Sequence, residues 1–212
     1  MHGGSTTYLE PKFNRSEILA AVKSASLKSR RSKAPAPGVE MIAAGKILAW
    51  FQGRIKFGPR ALGKGSLLAD PRRPDMRNIL NQKLKHREDF RPFVPSVMAE
   101  HANDWFDVGP HLTSHEFMPF ACGVEAWQRD RIPAVLHRDG SARVQLVSGK
   151  SNPRFHALLS CFFAQTGVPL VVNTSFNDIE PIVCTPSDAI VTFRKSGIDA
   201  LFMDDIVLTA QT

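Results

Sequence analysis

The residues best suited to chemistry in this chain are cationic, and they come in runs. Gln52-Gly53-Arg54-Ile55-Lys56-Phe57-Gly58-Pro59-Arg60-Ala61-Leu62-Gly63-Lys64-Gly65-Ser66 sets Arg54, Arg60 and Lys64 among glycines and a proline. Lys85-His86-Arg87-Glu88-Asp89-Phe90-Arg91-Pro92-Phe93 follows, with Phe90 and Phe93 as core anchors and Pro92 holding Arg91 extended. Arginine outnumbers lysine between positions 54 and 91, and a guanidinium can grip two phosphate oxygens at once. The chemistry this suggests is binding of an anion: nucleic acid, nucleotide or phosphorylated metabolite. A plainer reading stands beside each run. The first is also a Gly/Pro turn with solvated cations, and the second a helix C-terminus whose dipole collects basic side chains.

Gly58 and Gly63-Lys64 have the spacing of a phosphate-binding P-loop. Gly65 stands where the magnesium-holding Ser or Thr belongs, and Pro59 removes a backbone donor. Ser66-Leu-Leu-Ala-Asp-Pro is also a poor helix start, so a cationic loop is the stronger reading. Residues 134–147 read as a hairpin turning at Asp139-Gly140, with Arg143 and Gln145 on one face, either toward a substrate or on an exposed sheet surface. Asn173-Thr174-Ser175-Phe176-Asn177 follows an apolar run, so its polar groups sit at a strand's carboxyl end, where open α/β sheets take ligands. An Asn/Ser turn is the alternative. Cys161 reads as a core thiol. His101, His111 and His115 are too loosely spaced to point to a metal.

Around these segments the pattern predicts a globular frame. The chain has 212 residues, 43% hydrophobic and 22% charged, enough for one domain with a real core or one domain with an appended arm. The net charge of +7 conceals an asymmetry: residues 54–91 carry a net +7 and residues 92–212 a net −5. Cys122, Cys161 and Cys184 fall in no CxxC spacing, which suggests reduced thiols and a cytoplasmic protein. No apolar run is long enough to cross a membrane as a helix. Asn14 and Glu17 have capping-box spacing ahead of a helix over about 15–27. Further helices are expected before Gly45, after Pro74, over 153–166 and over 186–195, and strands over 46–52, 66–69, 93–99, 117–124, 168–174 and near 200–209. Between 101 and 115 a helix-then-loop insertion is expected. Strands and helices mix without strict βαβ order, which predicts a mixed α/β sheet with several antiparallel pairs.

Gly53–Arg72, Asn81–Val97, Pro133–Val147 and Gly167–Phe193 together resemble the C-terminal domain of the NodU-type O-carbamoyltransferases, in the family's order, from roughly Gly45 to Leu208. The resemblance implies a YrdC-like α/β fold with an open twisted mixed sheet and flanking helices. It implies a domain over 36–212, preceded by a helix and linker over 1–35 that in full-length relatives joins an actin/hexokinase-like domain. It implies formation of carbamoyl adenylate from carbamoyl phosphate and ATP, with magnesium, and transfer by the other domain to a hydroxyl of an antibiotic or nodulation-factor-like acceptor. The metal of the acceptor site would belong to that other domain. By motif, Arg54, Arg60, Lys85, Arg91 and Arg143 would hold carbamoyl phosphate and the ATP phosphates, with Lys85 and Arg91 as catalytic residues. Asn173, Ser175 and Asn177 would line the nucleotide or carbamoyl end. Two positions depart from the pattern: the loop Asn177-Asp178-Ile179-Glu180-Pro181 is one residue short and lacks a Gly, and Gly65 replaces a larger residue. An RNA-binding module is the contrasting reading, disfavoured because few aromatics interleave with the basic segments. An inactive interaction domain of the same fold is a third.

Overall fold

The computed structural model describes residues 12–33, 35–53, 62–85, 93–109, 121–177 and 181–210. Its first helix, α1 (Arg15–Ser24), starts where the sequence places it. The Asn14 side chain accepts from the Glu17 amide at 3.0 Å while the Glu17 carboxylate accepts from the Asn14 amide at 2.6 Å. The helix buries Ile18 and Val22. There follow β1 (Arg30–Arg31), α2 (Ala36–Ala43), β2 (Leu48–Phe51), β3 (Gly65–Ala69) and α3 (Met76–Leu80), which continues into a π-helical turn, Asn81–Lys85. Next come β4 (Val94–Met98), a 3-10 turn (Ala99–Asp104), β5 (Phe106–Asp107) and β6 (Ala121–Val124). Two more 3-10 turns (Ala126–Arg131, Pro133–Val135) lead to β7 (Ser141–Arg143) and β8 (Gln145–Val147). The chain ends with α4 (Pro153–Thr166), β9 (Leu170–Ser175), α5 (Pro186–Lys195), β10 (Ala200–Met203) and β11 (Ile206–Thr209).

Eight strands form one mixed sheet in the order β1-β11-β10-β2-β3-β9-β4-β8, and β5-β6-β7 form a small second one. Leu48, Ala49, Trp50 and Phe51 are all buried because the central strands are covered on both sides. The pleat sends Leu48, Trp50 and Phe202 to one face, under α2 and α4, where Gly38 lets α2 approach Leu48 and Phe202 closely. Phe51 points to the other face, toward Phe13 and the flank of α1, while α5 packs on β2 and β10. Helix α4 is the main lid. Pro153 occupies its first turn and Gly167 ends it in a left-handed conformation, φ 69°. It buries Phe155, Leu158, Leu159 and Phe162, each contributing up to about 1.5–3 kcal/mol of apolar burial.

The expected mixed sheet and flanking helices are borne out, and two local expectations are overturned. Residues 134–147 are not a hairpin. Pro133–Val135 is a 3-10 turn, β7 pairs with β6, and β8 leaves to run parallel to β4 in the large sheet. The strand changes sheets at Val144, so Arg143 and Gln145 do not share one sheet face: Gln145 is 3% exposed inside the large sheet. The Asp139-Gly140 turn itself is present, with Ser141 donating from its amide and its hydroxyl to the Asp139 carboxylate. The expected insertion at 101–115 contains a 3-10 turn and the short strand β5 rather than an α-helix; its remainder lies outside the described residues.

Candidate anion-binding site

Strand direction decides which loops meet. Strands β2, β9 and β10 end at one edge of the large sheet, and β3, β4 and β8 begin there. Phe51 pairs with Gly65, Ser66 with Ser175, Val94 with Asn173 and Ser96 with Gln145. The chain that leaves β2 at Gln52, the chain that enters β4, the Arg143–Gln145 crossover and the end of β9 are therefore brought to one edge.

Arg54, Arg60 and Arg91 lie outside the described residues, and Lys85 is described through its backbone, as the last residue of the π-helical turn. Arg143 is half-buried at the end of β7. Burial lowers the His137 pKa, Arg143 and Arg77 depress it further, and Asp139 opposes them. Arg77 is itself shifted down by burial; its Nη2 donates to the carbonyl of Leu136 and, at 3.5 Å, to that of Pro133. These bonds brace the loop that presents Arg143. The Arg77 Nε, the His137 Nε2 and both ends of the Asn81 amide are buried without hydrogen-bond partners among the described residues. Asn81 opens the π-helical turn, a distortion that recurs at functional sites. Sequence reasoning missed Arg77, Asn81 and His137; the available signal was an asparagine amid the apolar period Met76, Ile79, Leu80.

Asn173 is 1% exposed. Its Nδ2 donates to Ser96 Oγ and to Gln145 Oε1, both at 2.9 Å, and the Ser96 hydroxyl donates to the same Gln145 oxygen at 2.6 Å. Among the described residues the Asn173 carbonyl oxygen has no partner. Two residues on, Ser175 Oγ donates to Asn177 Oδ1 at 2.6 Å, so the three polar groups expected of this segment gather at the strand end. Gln145, expected on a substrate-facing or solvent face, instead holds Asn173, because β8 is an interior-facing strand at that level.

The P-loop reading does not survive. Gly63-Lys64 leads into β3 rather than a helix, so the helix N-terminus that would hold phosphate is not there. Gly63 is demanded by packing: its φ is 75°, and a Cβ would stand 2.3 Å from the Phe155 ring. Leu62 before it also has positive φ, 49°, held by Asn152 Nδ2 donating to its carbonyl at 3.3 Å. At Gly65 a Cβ would meet Ile182 at an ordinary 3.5 Å, so the missing side chain there is not imposed by crowding. Lys64 is shifted down by burial, with Arg154 and Lys12 adding to the effect. Cys161 is half-buried against the core, as expected.

The described residues thus bring Arg143, Asn173 and Ser175 to one end of a mixed α/β sheet. Comparison supplies the family: the chain belongs to the Carbamoyltransferase C-terminus family, whose pattern it matches over residues 39–210. It is 41% identical to Nodulation protein NolNO of Sinorhizobium fredii, over 82% of this chain and 26% of that protein. It is 38% identical to the 3'-hydroxymethylcephem-O-carbamoyltransferase of Amycolatopsis lactamdurans, over 77% of this chain and 31% of that one. An uncharacterized protein of Synechocystis, sll1178, matches 97% of this chain at 38% identity, again over only 37% of its own length. The chain thus spans roughly a quarter to just over a third of these relatives. Among solved structures, full-length HypF in its phosphate- and nucleotide-bound form shares the expected YrdC-like fold, with a TM-score of 0.56 over 85% of this chain and 22% of that one at 14% identity.

Proposed function

We propose that this chain forms carbamoyl adenylate from carbamoyl phosphate and ATP, as the C-terminal part of an O-carbamoyltransferase. The observation that carries the reading is the meeting, at one sheet edge, of the segments that bear Arg143, Asn173 and Ser175 with those that lead to Arg60 and Arg91. Carbamoyl phosphate takes up water and releases phosphate, leaving carbamate; a carbamate oxygen then attacks the α-phosphorus of ATP and pyrophosphate leaves. Arg54, Arg60, Lys85, Arg91 and Arg143 would offset the charge repulsion between the two substrates and hold them in line, with Lys85 and Arg91 as the catalytic residues. Asn173, Ser175 and Asn177 line the neutral end. No activated serine or cysteine is required, because positioning and charge stabilisation supply the catalysis.

Magnesium would enter on the triphosphate and shield its charge. Among the described residues no group of three or more His, Cys, Asp or Glu side chains could cage it, so no step is assigned to a protein-held metal. Among those residues, too, no helix is long and apolar enough to cross a membrane; the working location is the cytoplasm, where ATP and carbamoyl phosphate are at hand. Residues 1–35 would join the preceding actin/hexokinase-like domain and residues 36–212 form the adenylating one. The hydroxyl acceptor, an antibiotic or a nodulation-factor-like sugar, would be handled by that other domain.

The test is exchange of labelled pyrophosphate into ATP by the 212-residue chain. Exchange that depends on carbamoyl phosphate is expected, together with no carbamoyl transfer to any sugar hydroxyl. Absence of carbamoyl-phosphate-dependent exchange, with the chain folded, would overturn the proposal.

A further inference from the structure

We infer that Ser96 and Gln145 are positioning residues that lock the Asn173 amide so that its carbonyl oxygen accepts a hydrogen bond from the amino group of the carbamoyl substrate. The inference rests on the function proposed above and assigns a source of selectivity within it.

Three buried side chains form a closed triangle of hydrogen bonds. Both protons on Asn173 Nδ2 are used, one on Ser96 Oγ and one on Gln145 Oε1. The Ser96 proton goes to Gln145 Oε1, which thereby accepts twice. With Gln145 presenting its Oε1, turning the Asn173 amide over would set oxygen against oxygen, so the end of Asn173 that is tied down follows the end that Gln145 presents. The end left over is an acceptor, Oδ1, without a donor on a residue that is 1% exposed. A buried acceptor with no partner costs stability, and no element of the fold gains from it.

Its place in the sheet says what kind of donor suits it. Asn173 pairs with Val94, three residues after Arg91, and stands one pleat before Ser175 on the same face. Gln145 follows Arg143 by two residues. The open acceptor therefore lies beside the start of β4 and on a residue bonded to Gln145, two residues from Arg143 along β7–β8, segments to which the proposed function assigns the phosphorylated ligand. Carbamoyl phosphate carries a dianion at one end and two N–H donors at the other. A methyl group in place of the amino group would leave the acceptor unpaired and buried, and sites of that kind reject the analogue strongly.

The adenine amino group is the other N–H donor in the reaction, and the experiment separates the two. Calorimetry on the 212-residue chain would compare phosphonoacetamide, a stable carbamoyl phosphate analogue, with acetonylphosphonate, its methyl counterpart. A preference for the amide of about 100-fold or more is expected in the unmodified protein. In Gln145→Leu the preference should fall to within about threefold, since Ser96, which can donate or accept, then no longer selects which end of Asn173 is tied down. Gln145→Glu keeps two acceptor positions for Ser96 and Asn173, so the ratio should survive although the added charge weakens both dianions. Ser96→Ala, a milder cut at the same triangle, should show an intermediate ratio and serves if Gln145→Leu does not fold. Equal binding of the two analogues by the unmodified protein, or an unchanged ratio in Gln145→Leu, overturns the assignment while leaving adenylate formation standing. A Gln145→Leu effect confined to the preference for ATP over purine riboside triphosphate overturns it in favour of adenine. Binding of neither analogue brings down the assignment and the proposed function together.

Discussion

Two polar clusters sit toward opposite ends of the same sheet edge, and they are finished differently. At the β10–β11 turn, Asp205 is 7% exposed and takes Arg31 at 2.6 Å and Arg15 at 3.4 Å, while neighbouring Asp204 pairs with Arg154. Every strong charge there meets its opposite, although Asp205 Oδ1 faces Arg15 without a hydrogen bond, and the result ties α1, β1 and α4 to the sheet. Around β4, β8 and the π-helical turn the accounts stay open. Among the described residues Arg143 has no carboxylate partner, and Arg77, Asn81, His137 and Asn173 each keep a buried atom unpaired. A cluster whose charges are all paired is a fastening. Around β4 and β8 a cation without a carboxylate and several idle buried donors and acceptors lie together, which is what the proposed ligand would have to satisfy.

Substitutions on the two sides should separate these roles. The largest effect is expected from Arg143→Ala: loss of a charge-assisted bond worth roughly 1.5–3 kcal/mol should cut carbamoyl-phosphate-dependent pyrophosphate exchange about tenfold to a hundredfold, with little change in melting temperature. Asp205→Asn should do the reverse. Its arginine partners are half-exposed, so the loss is set at about 1–2 kcal/mol, a fall of roughly 2–8 °C in Tm, with exchange at low temperature intact. If Arg143→Ala unfolds the chain, or Asp205→Asn abolishes exchange, the division drawn here is wrong.

The same aspartate gives a pH test. The Arg31 hydrogen bond holds Asp205 below the ordinary aspartate value of 3.8, outweighing burial, with the charges of Arg31, Arg15 and Arg154 helping. A depressed carboxyl contributes stability that is fully present above that value and is lost as pH falls through the lower, folded pKa. The Tm gap between the native chain and Asp205→Asn should hold from neutral pH down to about 4 and close below it. The smallest effect concerns thiols. Burial, with Asp107 adding, pushes Cys122 up to about 11, whereas Cys184 is exposed. Brief alkylation near pH 8 followed by mass spectrometry should label Cys184 well ahead of Cys122.

Much of the frame was legible because local chemistry wrote it. The Asn14–Glu17 capping box, Pro153 and Gly167 around α4, and the apolar runs of β2, β9 and β10 each predicted their element from neighbouring residues. The hairpin at 134–147 failed for the opposite reason. Its turn chemistry at Asp139-Gly140 was right, but strand pairing is settled by distant partners, and β4 captured residues 145–147 while β6 captured 141–143. The candidate site shows the same split. Its cationic segments declare themselves by composition. Ser96 looked like one polar residue in an apolar strand, and its use emerges only when three strands from remote parts of the chain set it beside Gln145 and Asn173.

That remoteness also governs how the molecule comes into being. Trp50 of β2 pairs with Phe202 of β10 across about 150 residues, and Leu68 of β3 with Asn173 of β9 across about 105, separations that make for slow closure. During synthesis from the N-terminus, β2 and β3 can pair with each other early, yet each must wait for its second neighbour until the last third of the chain has emerged. For that interval two strands of almost wholly apolar residues are one-sided ribbons with open edges, a natural client for a chaperone and a hazard at high expression. Recovery in the soluble fraction should accordingly depend on the speed of translation more than on the equilibrium strength of the finished sheet.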